Sequence, residues 1–178
     1  MLLLWNTSLK KPIRRYLNNM KITIIAVGKI KEKFYRDAVS EYEKRLSKYC
    51  KLSILEVSDE KTPDQASETV NQQILSKEGE RIRNLIPKDS YVIPLAIEGK
   101  KYDSVGFSDM ICKNTVQGIS HITFIIGGSL GILEEIKKES PQMVSFSDMT
   151  FPHQLMRVIL LEQIYRAFRI INNEPYHK

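Results

Sequence analysis

Two apolar runs, "ITIIAV" at Ile22–Val27 and "ITFII" at Ile122–Ile126, restrict the fold of this chain more than any other feature. A strand that is apolar at successive positions presents hydrophobic groups on both faces, so both faces need a covering layer. The segments between such runs supply it. Glu32–Tyr49 carries a helical stripe through Phe34, Ala38, Tyr42 and Leu46. Leu52–Val57 reads as a second strand, followed by a loop at Thr62-Pro63-Asp64 and a polar helix from Ala66 to Ile86. Tyr91–Ile97 reads as a third strand, with a turn at Glu98-Gly99-Lys100 and a helix over Phe107–Gln117 that Gly118 ends. After Ile122–Ile126 come a short helix at Leu133–Glu139, a fifth strand at Met143–Phe146 and a long apolar helix at His153–Ile171. Strands separated by helices predict βαβ units. The expected fold is α/β, a mainly parallel sheet of about five strands with helices on both faces.

The domain start is legible from a change in pattern. Residues 1–19 lack clear periodicity, contain Pro12 and end in Asn18-Asn19, and Met20 then opens "MKITIIAVGKIKEKF". We expect 1–19 to be an extension outside the fold, an upstream-start or expression remnant more readily than a basic RNA-binding arm, and 20–178 to be one domain. Charge supports this division. The chain has 27 basic and 21 acidic residues, and the extension holds Lys10, Lys11, Arg14 and Arg15 with no acidic residue. Most of the excess of +6 therefore lies before the domain. A nucleic-acid partner is compatible with that balance but not required by it. Cys50 and Cys112 form no CxxC or Cys/His pattern, so neither structural zinc nor a disulfide framework is expected. "MLLLW" is too short for a signal-peptide core, and no apolar run approaches the ~18 residues of a membrane span. These features predict a reduced, cytoplasmic protein with no metal site.

Phe124–Ile132, "FIIGGSLGI", is a strand that empties into a glycine-rich loop. Ligands of open α/β sheets collect beyond the carboxyl ends of strands, which is where this loop falls. Its GGxxG spacing matches neither the dinucleotide fingerprint nor the P-loop, and no lysine stands at the Walker position. The first strand ends in "VGKIKEK", with a single glycine. A triphosphate or dinucleotide cradle is disfavoured, and the loop reads as a backbone wall against a flat ligand. A plain tight strand-to-helix turn is the alternative.

The C-terminal third, "SFSDMTFPHQLMRVILLEQIYRAFRI", is the other informative stretch. Pro152 suits the first turn of the helix, and Thr150 is the expected N-cap. The helix is apolar over an arc too wide for one sheet face, which points to a second subunit and a C₂ dimer. Glu162, Arg166, Arg169 and Asn173 form its polar stripe, with Glu162 and Arg166 at i,i+4. That stripe reads either as solvated surface or as a row of arginines facing RNA phosphates. His121 reads as structural, and His153 as a capping or a chemical residue. The tail "PYHK" places Tyr176 and His177 at the end of the chain, where a tyrosine can stack on a base and a histidine can carry a proton.

Together, "MKITIIAVGK", "IIGGSLG", "SFSDMTFPHQLMRVILLEQIYRA" and "PYHK" make residues 20–178 resemble the RlmH-type SPOUT-class 23S ribosomal RNA pseudouridine N3-methyltransferases. The resemblance implies a C-terminal trefoil knot (the α/β-knot fold), a homodimer with the active site at its interface, and S-adenosyl-L-methionine as methyl donor. It implies methylation of N3 of the pseudouridine at position 1915 of 23S rRNA. That nucleotide lies in helix 69 of the assembled ribosome. The family's cofactor contacts fall on Leu95, Gly127, Phe146, Ser147, Asp148, Met149, Thr150 and Phe151, and its catalytic positions on Arg166, Tyr176 and His177. Pro94 and Ala96 depart from the family pattern, which often has an acidic residue just after the strand-three leucine. Two rivals remain at this stage, a non-catalytic dimeric ribosome-associated α/β protein and a nucleotide- or flavin-using α/β enzyme.

Overall fold

The structure is a computed structural model, and it describes residues 19–175. Five strands form one sheet in the order β2-β1-β4-β3-β5, every pairing parallel. The strands are β1 (Lys21–Val27), β2 (Lys51–Val57), β3 (Tyr91–Lys101), β4 (His121–Ile126) and β5 (Val144–Ser145). The helices are α1 (Lys33–Leu46), α2 (Glu68–Leu85), α3 (Ser104–Val116), α4 (Glu134–Glu139) and α5 (His153–Ile171).

The two apolar runs are the adjacent central strands, with Ile22 opposite Ile122 and Ile24 opposite Phe124. Alternate residues go to opposite layers. Ile22, Ile24 and Ala26 join Ile122, Phe124 and Ile126 in a core with α1, α3 and α5, while Ile25, Val27 and Ile125 pack with Ile82 of α2 and Ile136 of α4. The buried ring of His121 ties the starts of these strands together through Thr23 Oγ1 at 2.9 Å, a structural role. Side-chain caps start two helices. Ser67 Oγ accepts from Val70 N at 3.3 Å, and Asp103 accepts from Gly106 N at 2.6 Å.

Four expectations need correction. The Glu98-Gly99-Lys100 turn is absent, and β3 runs on to Lys101 with a register shift against β5 between Leu95 and Lys100. Gly99 serves close approach, since a Cβ there would lie 2.7 Å from the Val144 carbonyl carbon. The third helix begins at Ser104, because the Asp103 cap precedes the first apolar contact. Thr150 does not cap α5. Pro152 occupies that position with extended ψ, no side chain caps the helix, and Pro152 O accepts from Met156 N at 2.9 Å. Finally, the wide apolar arc of α5 is covered largely within the chain. It packs against α1 and α3 as well as the sheet, and Tyr165 and Phe168 meet Tyr49 rings at 5.9 and 5.6 Å.

Pro94 lies in β3 opposite Ile125. Its missing N–H is tolerated because β5 pairs with β3 only at Leu95 and at Lys100–Lys101.

Candidate functional site

β4, β3 and β5 are neighbours in the sheet, so their carboxyl ends open side by side. Leu95 pairs with Ile126 on one side and Val144 on the other, which places the segments after all three strands around one cavity of about 600 Å³. That size suits a small-molecule ligand. Leu95 to Glu98 form one wall, Gly127 to Ile132 a second, and Ser145 to Ser147 with Met149 to Phe151 a third. The start of α5 closes it with Pro152, His153 and Met156.

The glycine wall is built on close approach. A Cβ on Gly127 would collide with the Gly131 carbonyl and would lie 2.8 Å from Ile132 Cγ1. Gly131 turns the loop at φ +88, and its N–H donates to Gly128 O at 3.1 Å. The third wall is set by hydroxyls. Ser147 Oγ accepts from Met149 N at 2.9 Å, and Ser145 Oγ donates to Ser147 O at 3.1 Å. Phe146 is anchored against the Phe107 ring at 5.8 Å. Met149 is 72% exposed and Phe151 37%, an unusual apolar rim.

Of the residues singled out from sequence, Leu95, Gly127, Phe146, Ser147, Met149, Thr150 and Phe151 meet at this cavity. Asp148 is not among the lining residues, and its carboxylate is paired with Lys101 Nζ at 2.5 Å. Arg166 is elsewhere. It lies ten residues beyond Met156 on α5, about 15 Å along the axis, and binds Glu162 through Nε and Nη2 at 2.9 and 2.6 Å. Tyr176 and His177 lie outside the described residues, as do residues 1–18 of the expected extension.

Sequence reading has His153 as a capping or a chemical residue, and overlooks three charged groups at or near the cavity, Lys137, Arg157 and Glu78. Lys137 lines it, but its ammonium is paired with Glu98 and, at 2.7 Å, with Glu134, and the Glu98 carboxyl is held below its usual range mainly by that Lys137 bond. The one lysine on the wall is thus neutralised, which fits an uncharged ligand group better than a phosphate. His153 packs over Gly28, where a Cβ would lie 3.0 Å from Nε2, and burial with the nearby Arg157 charge lowers its pKa. Arg157 itself is fully buried, pairs with Glu56 and donates to the carbonyls of Gly28 and, at 3.2 Å, Val27. The signal for it was present, a single arginine inside "LMRVILL". Glu78, the third, sits beside the glycine loop, its Oε2 2.9 Å from where a Gly128 Cβ would stand.

Among the described residues no cluster of three or more His, Cys, Asp or Glu could hold a metal ion, and no helix is long and apolar enough to cross a membrane. The family profile described as "Predicted SPOUT methyltransferase" matches residues 20–177. A "Ribosomal RNA large subunit methyltransferase H" from Bifidobacterium adolescentis is 59% identical over 159 residues, 89% of this chain and 100% of that protein. A protein of the same name from Streptococcus uberis is 55% identical over the same shares. A solved structure titled as a probable methylase family protein from Haemophilus influenzae aligns with a TM-score of 0.48 at 15% identity, over 91% of this chain and 71% of that one.

Proposed function

The chain belongs to the RlmH-type SPOUT methyltransferase family, and from that premise we propose that it is an rRNA methyltransferase. Its methyl donor in this reading is S-adenosyl-L-methionine, and its acceptor is N3 of the helix 69 pseudouridine, position 1915 of 23S rRNA. The observation that carries the reading is the cavity at three adjacent strand ends, walled by backbone and apolar groups, with its lysine already paired.

Those walls fit an adenosyl group. Leu95, Phe146, Met149 and Phe151 offer apolar surface to the faces of an adenine, and the exposed backbone of Gly127, Ser147 and Thr150 offers polar edges to its nitrogens. A side chain at Gly127 would narrow this space. The bound donor supplies an electrophilic methyl on a sulfonium. The chain's own task would be to hold the acceptor base beside the donor's methyl group, with Leu95, Gly127, Phe146, Ser147, Met149, Thr150 and Phe151 holding the donor. The acceptor nitrogen would have to give up its proton to a group of the chain or to a water. His177, or a water, accepts that proton in this proposal, while Tyr176 and Arg166 hold the base or its phosphate.

Arg166 stands well along α5 from the cavity of its own chain, so its use there calls for a second copy. The homodimer enters the proposal together with that role for Arg166. Leu155 and Ile159, half-buried on α5, continue the same helical face as Glu162 and Arg166 and offer apolar surface for such a partner. The trefoil knot, the division at residues 19 and 20, and a cytoplasmic setting belong to the same proposal. Calorimetric titration tests its first step. S-adenosyl-L-methionine binding at one site per chain is expected, and binding of a phosphorylated nucleotide or flavin in its place would refute it.

A further inference from the structure

Glu78 lies in α2 and is 4% exposed, a buried carboxylate that the methyl-transfer reading leaves without a task. Its Oε1 accepts from Glu60 N at 2.9 Å, whereas Oε2 is buried and has no hydrogen-bond partner. Leaving a carboxylate oxygen in that state is unfavourable, so the position needs a reason. The reason lies directly above it. A Cβ on Gly128 would sit 2.9 Å from Glu78 Oε2 and 3.0 Å from Val27 Cγ1, so the carboxyl fills the space that a side chain at Gly128 would need. The next residue repeats the arrangement, since a Cβ on Gly79 would meet Leu133 Cδ2 at 2.5 Å. The Glu78-Gly79 step of α2 therefore supports the glycine loop under Gly128 and at the entry to α4.

A second attachment reaches the same loop. The segment held by Glu78 through Glu60 N continues to Thr62, whose Oγ1 is 2.9 Å from Ser129 Oγ. Glu60 is fixed in turn by Arg81 at 2.5 Å. Burial pushes the Glu78 carboxyl pKa up, against the Glu60 N–H bond and the nearby Arg81 charge, which lower it.

We propose that Glu78 is a positioning residue for the methyl-donor site: its carboxyl, seated beneath Gly128 and bonded to Glu60 N–H, fixes the backbone that walls the cavity. It does not line the cavity and touches no reacting atom. The inference rests on the reading of that cavity as the donor site.

The test is a cycle of Glu78→Ala and Gly128→Ala in the full chain, with two readouts. The first is S-adenosyl-L-methionine affinity by calorimetry. Glu78→Ala should weaken it about tenfold, with kcat at saturating donor within about twofold, because a displaced wall loosens binding and leaves the acceptor side intact. Glu78→Gln keeps the volume and the acceptor for Glu60 N–H, and should restore affinity to within about threefold. Gly128→Ala should be harmful alone but much less so alongside Glu78→Ala, which removes the oxygen it strikes. The second readout, hydrogen exchange at the Gly131 amide, needs no ligand. It should accelerate in Glu78→Ala while β4 amides stay protected. Unchanged donor affinity and unchanged Gly131 exchange in a folded Glu78→Ala protein would overturn the proposal. So would equal effects of Gly128→Ala in both backgrounds. If the wild-type chain binds no S-adenosyl-L-methionine, the donor-site reading fails, and the exchange measurement separately decides whether Glu78 holds the loop.

Discussion

The guanidinium of Arg157, with no solvent exposure, pairs with the carboxylate of Glu56 across the sheet end, joining α5 to β2. The same guanidinium holds the Gly28 and Val27 carbonyls at the end of β1. One side chain thus fixes the start of α5, where His153 and Met156 face the cavity, to two strand ends. Ion pairs this buried are poor sources of net stability, but breaking one leaves an uncompensated charge.

Glu56→Gln is accordingly expected to destabilise the protein by about 2–4 kcal/mol. Glu56 is itself partly exposed, which puts the value below that of a wholly buried pair. Denaturant unfolding measures it. Adding Arg157→Met should cost less than the sum of the two single changes, since the second removes the stranded charge.

Gly127→Ala should leave the sheet folded and weaken S-adenosyl-L-methionine binding at least about 100-fold. The added Cβ meets the Gly131 carbonyl and Ile132, so the loop that walls the cavity must shift. Calorimetry with a circular dichroism control reads both. Gly118→Ala is a contrasting control, because nothing lies within 4 Å of a Cβ there while its φ of +90 strains any L side chain, a backbone cost that Gly127 does not carry. It should lose stability without losing affinity.

Cys50 should resist alkylation at neutral pH in the folded protein and react promptly once unfolded. Burial pushes its thiol pKa up to about 12. The folded value is raised, so its contribution to stability is complete below the unfolded pKa of about 8.5 and declines as pH rises toward 12. Iodoacetamide labelling followed by mass spectrometry checks the first statement, and alkaline unfolding midpoints check the second.

His153 should be neutral at pH 7. Burial first, and then the charge of Arg157, hold its pKa below the ordinary value. A lowered folded pKa gives a contribution that is present above about 6.5 and lost as pH falls through the folded value. An NMR titration should therefore find its midpoint below that of a free histidine, and His153→Gln should flatten the acid limb of the stability profile.

The fold was legible where chemistry repeated. β1 and β4 began within one residue of expectation because their apolar runs admit only one placement, and α5 matched at both ends. Gly99 misled because a glycine that admits a neighbouring backbone looks, in sequence, like one that turns a chain. The cavity wall was marked by glycines and by "FSDMTF", but its supports were not. Glu78 stands within the charged segment "SKEGERIR", which reads as solvated surface. Its burial depends on Gly79 letting α4 approach, a fact of packing with no periodic signature. Lys137 likewise looks free in sequence and is paired in space with Glu98, 39 residues away.

The most direct measurement of methyl transfer uses tritiated S-adenosyl-L-methionine with ribosomes that lack the helix 69 methyl group. The wild-type protein should incorporate about one methyl per ribosome, mapped to N3 of the pseudouridine, and Gly127→Ala should reduce this steeply. His177→Ala should slow single turnover by about 10²–10⁴ with donor affinity unchanged if it accepts the N3 proton. Ribosome binding and donor binding without any methyl incorporation would contradict the proposed activity.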